Sequence, residues 1–115
     1  MKKKFAFTIG TIKEVCERCP NHDLDRLGEL FATNDYMKSI DNMAWFICTL
    51  NRWAVFKETR SFDGALQIDD VMAMEMPEVM ALFDEAMATF NKDKKSETEI
   101  VPSKKAEAAQ PNEKN

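Results

Sequence analysis

Three cysteines and one histidine are the residues of this sequence with the most evident capacity for chemistry. Cys16 and Cys19 form a C-x-x-C pair, His22 follows three residues later, and Cys48 lies alone further along the chain. Dithiol redox sites and zinc sites both use this spacing. A redox pair sits at the N-terminus of a helix, where the helix dipole lowers the thiol pKa. This pair instead precedes Pro20 at the end of a predicted helix, so redox chemistry is not indicated.

A zinc site is the alternative that these residues leave open. Cys16, Cys19 and His22 supply three ligands of suitable type, and Cys48 could supply a fourth. Zinc sites usually draw on a second pair at comparable spacing, which this chain lacks. An odd number of cysteines also suits reduced thiols better than a disulfide framework. We therefore predict no bound metal, and we expect Cys16 and Cys48 to be small core residues.

Catalytic residues of other kinds are not indicated. His22 is the single histidine, and the sequence has no nucleophile elbow that it could serve. The acidic pairs Asp69-Asp70 and Asp84-Glu85 fall at helix starts or on solvated faces, where structural roles are expected. The sequence has no phosphate-loop, dinucleotide-binding or EF-hand fingerprint. It therefore predicts a protein that is not an enzyme and that binds no cofactor.

Methionine and aromatic side chains give the clearest indication of a binding surface. Met74 and Met76 flank a short loop before Pro77, and Met-rich surfaces adapt readily to partner helices. The third predicted helix is apolar well beyond one face, so part of it could meet a partner or a second copy of the chain. Core filling is the alternative role. The candidate partner-binding residues are Trp45, Phe46, Trp53, Phe56, Met74 and Met76.

Composition and charge exclude several classes of protein. The 115 residues include three glycines and four prolines, too few for the turns of a β-sandwich or barrel. The formal net charge is −4, and residues 5–91 hold 15 acidic against 7 basic side chains, so no basic field can hold nucleic acid. The start, MKKKFAFTIG, imitates a signal peptide, but Lys13 and Glu14 interrupt it. We expect a cytoplasmic protein without nucleic-acid or membrane partners.

Hydrophobic periodicity predicts a mainly α fold, a small bundle of about five helices with a short N-terminal β-strand. The strand covers residues 3–9, where apolar side chains alternate. The first predicted helix is capped by Thr11 and ended by Pro20, and the second is opened by Asn21 or Asp23. The third runs from Ser39 or Asp41 to about Glu58. A short helix lies within 67–76, and the last begins at Pro77.

The helical pattern stops at Asn91. Residues 1–91 are therefore predicted to form one helical domain, and residues 92–115 a disordered charged tail. The tail holds few large apolar side chains, so burial cannot offset an ordering entropy of about 1–2 kcal/mol per residue.

Several stretches of the sequence are similar to those of a known family. They are FAFTIGTIKEVCERCPN at 5–21, LGELF at 27–31, DNMAWFIC at 41–48 followed by LNRW at 50–53, and EAMATF at 85–90. In these stretches and in the layout of residues 5–91, the chain resembles the tail assembly chaperones of long-tailed, siphovirus-like bacteriophages.

The resemblance implies a small, acidic, mostly helical protein of the host cell cytoplasm. Such proteins bind the tape measure protein, keep its apolar helical segments soluble and are absent from the mature virion. In many of them a frameshifted longer product recruits the tail tube protein. The resemblance implies no catalytic residues. The alternative function is a small phage-encoded regulatory adaptor or inhibitor that acts through an acidic helical surface.

Overall fold

The computed structural model describes residues 4–100, with side chains described for residues 4–92. Its α-helices are α1 (Ile9–Arg18), α2 (Tyr36–Thr59), α3 (Ile68–Met72) and α4 (Met76–Ile100). Two 3₁₀ helices, Pro20–His22 and Leu24–Leu30, connect α1 to α2. The prediction of a mainly α fold is confirmed. None of these helices combines the length and the apolar character that crossing a membrane requires.

α2 is the central helix and contacts α1, α3 and α4. From Met43 to Asn51 every residue except Trp45 is buried, a pattern that arises when a helix is packed on several sides. The helix begins at Tyr36 because the Asp35 carboxylate accepts hydrogen bonds from two backbone N–H groups of the first turn. The predicted start at Ser39 or Asp41 is therefore too late.

Two apolar clusters lie against different parts of α2. The first contains Phe46 and Leu50 of α2 together with Phe90 of α4, and aromatic side chains from the N-terminal segment pack on it. The second joins Ala44, Ile47 and Cys48 of α2 to Leu66 and Val71. The first cluster fixes α4 on α2, and the second fixes the loop after α2 and α3.

The N-terminal segment does not form the predicted strand. Residues 4–8 have no regular secondary structure, and Ile9 already belongs to α1. No other strand is formed between residues 4 and 100 with which the segment could pair, so α2 meets its backbone groups instead. The Ala6 N–H donates to the Leu50 carbonyl at 3.1 Å, and the Asn51 side chain donates to the Lys4 carbonyl at 2.9 Å. The alternating phenylalanines reflect packing of one side of this segment on the core.

The first two predicted helices differ from the structure in detail. α1 is capped by Thr8, whose hydroxyl accepts from the Thr11 N–H, so the predicted cap at Thr11 is wrong. The second helix is capped at Asp23 as predicted, but it is 3₁₀ rather than α. Its leucines at 24, 27 and 30 repeat every three residues, which places them on one face of a helix with three residues per turn.

α4 continues past the predicted end of the folded domain. It runs to Ile100, so residues 92–100 are helical rather than disordered as predicted. Extending a helix that already exists costs far less than nucleating one, and the next proline is at position 102. Residues 101–115 lie outside the described residues, and the disordered tail stays a prediction there.

Gly10 allows α1 to pack closely on Trp53 of α2. A Cβ atom at Gly10 would lie 2.5 Å from two carbon atoms of the indole ring. We expect Gly10→Ala to lower the free energy of unfolding by about 1–3 kcal/mol, because the ring must move. In an unobstructed helix the same change would stabilise by about 1 kcal/mol. Urea unfolding followed by circular dichroism measures the difference.

Gly28→Ala is the matched control. Gly28 is exposed, and a Cβ there would meet no atom within 4 Å. We expect this variant to be as stable as the parent protein or more stable, by up to about 1 kcal/mol. If Gly10→Ala were also stabilising, the close packing of α1 on Trp53 would be contradicted.

Candidate partner-binding groove

An apolar groove of about 190 Å³ opens between the start of α2 and the segment that carries α3 and the start of α4. All of its lining residues are apolar, and half of them are methionines. They are Ile40, Met43 and Ala44 of α2, Val71 and Met72 of α3, and Met74, Met76 and Val79 at and after the α3–α4 connection. A concave apolar surface built from flexible Met side chains can accept the apolar face of a helix.

Hydrogen bonds of the α3 region hold one wall of the groove in place. The Leu66 N–H donates to the Asn51 side chain of α2 at 2.8 Å, which fixes the chain just before α3. α3 then begins at a capping box in which the Asp70 carboxylate accepts from the Gln67 N–H at 2.8 Å. The Met74 N–H donates to the Val71 carbonyl at 3.0 Å, which forms a turn between α3 and α4.

Exposed apolar side chains of α2, α3 and α4 extend the apolar surface beyond the groove. They are between 40% and 72% exposed, and they are Tyr36, Met37, Met72, Met76 and Met80. Tyr36 lies one helical turn before Ile40 on α2, and Met80 lies one turn after Met76 on α4. Contiguous exposed apolar surface of this kind marks interaction sites on soluble proteins.

Three of the predicted contact residues now have a clear place relative to the groove. Met74 and Met76 both line it, and Met76 is exposed. Phe46 is fully buried in the first cluster and so is not part of the exposed surface, and its contact with a partner stays a prediction. Because α2 is apolar on most sides, the sequence pattern could not distinguish the side covered by α4 from a side left open.

Trp45 lies away from the groove lining and has an intramolecular partner. The Arg18 guanidinium of α1 lies 4.7 Å from the centroid of its ring, a cation–π contact. The same Arg18 donates to the Asn42 side chain of α2 at 3.0 Å. Trp45 therefore helps to fix α1 on α2, and its contact with a partner stays a prediction.

Trp53 and Phe56 belong to an aromatic group at the far end of α2. Their rings and that of Phe62 have centroids 4.6–5.8 Å apart, with Phe56 and Phe62 stacked. Arg52 lies over the Phe62 ring and also pairs with Glu14 of α1. These contacts occupy much of the aromatic surface, and a partner-binding role for Trp53 and Phe56 likewise stays a prediction.

Sequence reasoning missed the part of the groove formed by α2. Tyr36, Ile40 and Met43 follow one another at i, i+4 and i+7 and so share a face of this helix. The signal that could have located this face is Asp35, a strong N-cap residue. Asn34-Asp35 is also a typical turn pair, and a helix predicted to start at Ser39 or Asp41 leaves Tyr36 and Met37 outside it.

The cysteines and the histidine do not converge on one point. The Cys16 thiol is directed to the His22 backbone, with its Sγ 2.9 Å from the carbonyl oxygen. Cys19 packs in the first apolar cluster and Cys48 in the second. Within the described part of the chain, no three or more His, Cys, Asp or Glu side chains are placed to hold a metal ion.

Burial controls the chemistry of the Cys48 thiol. Removal from water raises its pKa to about 11, and the negative charge of Asp70 acts in the same direction. The thiol is therefore protonated at neutral pH, whereas the thiolate is the nucleophilic form. Cys48 behaves as a small apolar side chain beneath the groove, next to Val71.

The chain matches no protein-family model, no curated protein and no solved structure. Its function is therefore inferred from the groove and from the residues around it.

Proposed function

We propose that this chain is a phage tail assembly chaperone that binds the tape measure protein during tail morphogenesis and keeps it soluble. The observation that carries the proposal is the Met-rich groove between α2 and the α3–α4 segment. The proposed chaperone is not an enzyme, binds no cofactor, acts in the host cell cytoplasm and is not retained in the virion. The tail tube protein, recruited through a frameshifted longer product, is a second proposed partner.

The groove suits a partner that is long, helical and apolar along one face. A helix laid in such a groove buries side chains at i, i+3, i+4 and i+7 and is thereby prevented from aggregating through that face. Unbranched Met side chains change shape at little cost, so one groove can accept many related segments of a long partner. Such tolerance is what a chaperone of an extended helical protein requires.

The proposal implies that a tape measure protein is encoded beside this chain, and co-expression of the two tests it. We expect a soluble complex that is recovered by pull-down at both low and high salt, because salt screens charges and leaves apolar contacts largely intact. A tape measure protein that stays insoluble in the presence of this chain would contradict the proposal.

The double variant Met74→Asp/Met76→Asp tests whether the groove is the contact surface. A bound apolar helix would have to bury the two new carboxylates, which is unfavourable. We therefore expect recovery of the complex to fall by about tenfold or more. Ile9→Asp is the matched control, because Ile9 is 79% exposed and lies on α1. Unchanged binding by the double variant would move the contact to the Trp45–Phe56 part of α2.

A regulatory adaptor or inhibitor is the second candidate function. The observation in its favour is the acidic character of residues 5–91, which could mimic the charge of nucleic acid for a basic protein. Binding of that kind depends on charge and weakens steeply with salt. A complex that is recovered only at low salt and is unaffected by Met74→Asp/Met76→Asp would favour the adaptor over the chaperone.

A further inference from the structure

Charge is distributed unevenly between the two parts of the chain. Residues 5–60 hold eight acidic and seven basic side chains, whereas residues 61–91 hold seven acidic side chains and no Lys, Arg or His. The second part includes α3 and the start of α4, which form one wall of the groove. The apolar groove is therefore bordered by a strongly acidic segment.

Several acidic residues stand within two positions of a groove-lining residue in the sequence. Their side chains are exposed and make no ion pair within residues 4–92. They are Asp69, Asp70, Glu75 and Glu78 on the α3–α4 wall and Asp41 on α2. The ion pairs of the described side chains lie elsewhere, and they are Lys4–Glu58, Lys13–Glu17, Arg26–Glu29 and Arg52–Glu14. These carboxylates, which neighbour the lining residues in the sequence, thus carry negative charge that no ion pair within residues 4–92 neutralises.

We infer that the groove binds an amphipathic helix whose apolar stripe is flanked by lysine and arginine side chains. This inference rests on the proposed function, since the helix is then a segment of the tape measure protein. The apolar stripe of the helix fills the Met-lined groove, and its basic flanks face the carboxylates of the border. Complementary charge of this kind selects the partner and fixes its register.

Two other occupants fit the groove less well. The chain beyond Ile100 starts about 36 Å from Met76 along α4, at 1.5 Å per residue. The sequence after Ile100 holds one large apolar residue, Val101, which is too few to form an apolar stripe. A second copy of the chain in a two-fold dimer would place its own acidic border against this one, and like charges in contact repel.

The length of the apolar stripe that α2 contributes to the groove and its margin sets the size of the bound segment. Tyr36, Ile40 and Met43 span about 11 Å of α2, or two helical turns. A helix of three to four turns therefore covers the stripe and still presents its flanking side chains to both borders. A synthetic helical peptide of this length is a sufficient probe.

Two peptides with the same leucine stripe, one flanked by lysines and the other by glutamates, test the inference on the full-length protein. We expect the lysine peptide to bind at least about tenfold more tightly in a fluorescence anisotropy titration. Glu75→Gln/Glu78→Gln should weaken its binding about fivefold. Asp63→Asn/Glu58→Gln removes the same charge away from the groove and should change binding less than about twofold.

A second pair of variants places the peptide in the groove. Met72→Gln/Met76→Gln changes two exposed groove residues without adding charge and should weaken binding at least about tenfold, whereas Ile9→Gln should have no effect. Equal affinities for the two peptides, or equal losses in the border and control variants, would overturn the inference. So would a dimer that the groove substitutions convert to a monomer, because a second copy would then be the occupant.

The peptide titration contains no tape measure protein, so the two proposals fail separately. A lysine peptide that binds in the groove while the tape measure protein stays insoluble leaves the inference standing and rejects the chaperone function. If the tape measure complex is soluble but the two peptides bind equally, the chaperone function stands and the inference about basic flanks is rejected.

Discussion

Phe46→Ala is expected to lower the free energy of unfolding by about 3–5 kcal/mol, the largest effect of any single substitution considered for this protein. Phe46 is fully buried, and its ring contacts those of Phe31, Phe83 and Phe90 with centroids 5.5–5.9 Å apart. Truncation would leave a cavity at the point where α2, α4 and the Leu24–Leu30 helix meet. Domains are stable by about 5–15 kcal/mol, so much of the total would be lost.

Phe62→Ala is the matched control for this experiment. It removes the same atoms, but Phe62 is 39% exposed and lies in the loop after α2. Water can reach the vacated space, but the contacts of the ring with Trp53, Phe56 and Arg52 are lost, and we expect a loss of about 1–2 kcal/mol. Urea unfolding of both variants measures the difference. Similar losses in the two variants would show that the first cluster is not the main core.

Asn51→Ala is expected to lower the free energy of unfolding by about 2–5 kcal/mol. Asn51 is buried on α2, where its Oδ1 accepts from the Leu66 N–H and its Nδ2 donates to the Lys4 carbonyl. One side chain thus holds both the N-terminal segment and the chain before α3. Its loss leaves a buried N–H and a partly buried carbonyl without partners, at about 1–3 kcal/mol each.

Asn42→Ala tests whether burial causes the large effect. Asn42 also makes two hydrogen bonds from the same helix, donating to the Leu30 carbonyl and accepting from the Arg18 side chain. It is only half-buried, so water can replace the lost partners and we expect a loss of about 1 kcal/mol. Amide hydrogen exchange gives a second readout. An unchanged exchange rate of the Leu66 N–H in Asn51→Ala would contradict the proposed anchoring role.

The position of Asn51 also connects stability with the groove. The Leu66 N–H, which donates to the Asn51 side chain, lies just before α3, and α3 supplies Val71 and Met72 to the groove wall. If the proposed partner binds there, Asn51→Ala should weaken binding as well as stability, because the wall would no longer be held against α2. The same substitution therefore provides an internal check on the location of the contact surface.

Local patterns in the sequence determined the helical class and the order of the main helices. A helix packed on one side carries an apolar stripe with a period near 3.6, and in α4 this stripe includes Ala86 and Phe90, which are almost completely buried. The position of Met74 and Met76 beside Pro77 indicated a binding surface but left core filling as the alternative role, and the structure places both residues in the groove lining. These features depend on residues close together in the chain.

Tertiary structure alone decided which sides of α2 are covered and which are open. α2 is apolar on most of its circumference, so periodicity could not show that Phe46 faces the core while Ile40 and Met43 face the groove. The N-terminal segment follows the same principle, because its alternation predicts a strand only where another strand is available for pairing. Contacts between distant residues settle both questions, and Asn51 joins three such parts of the chain through two hydrogen bonds.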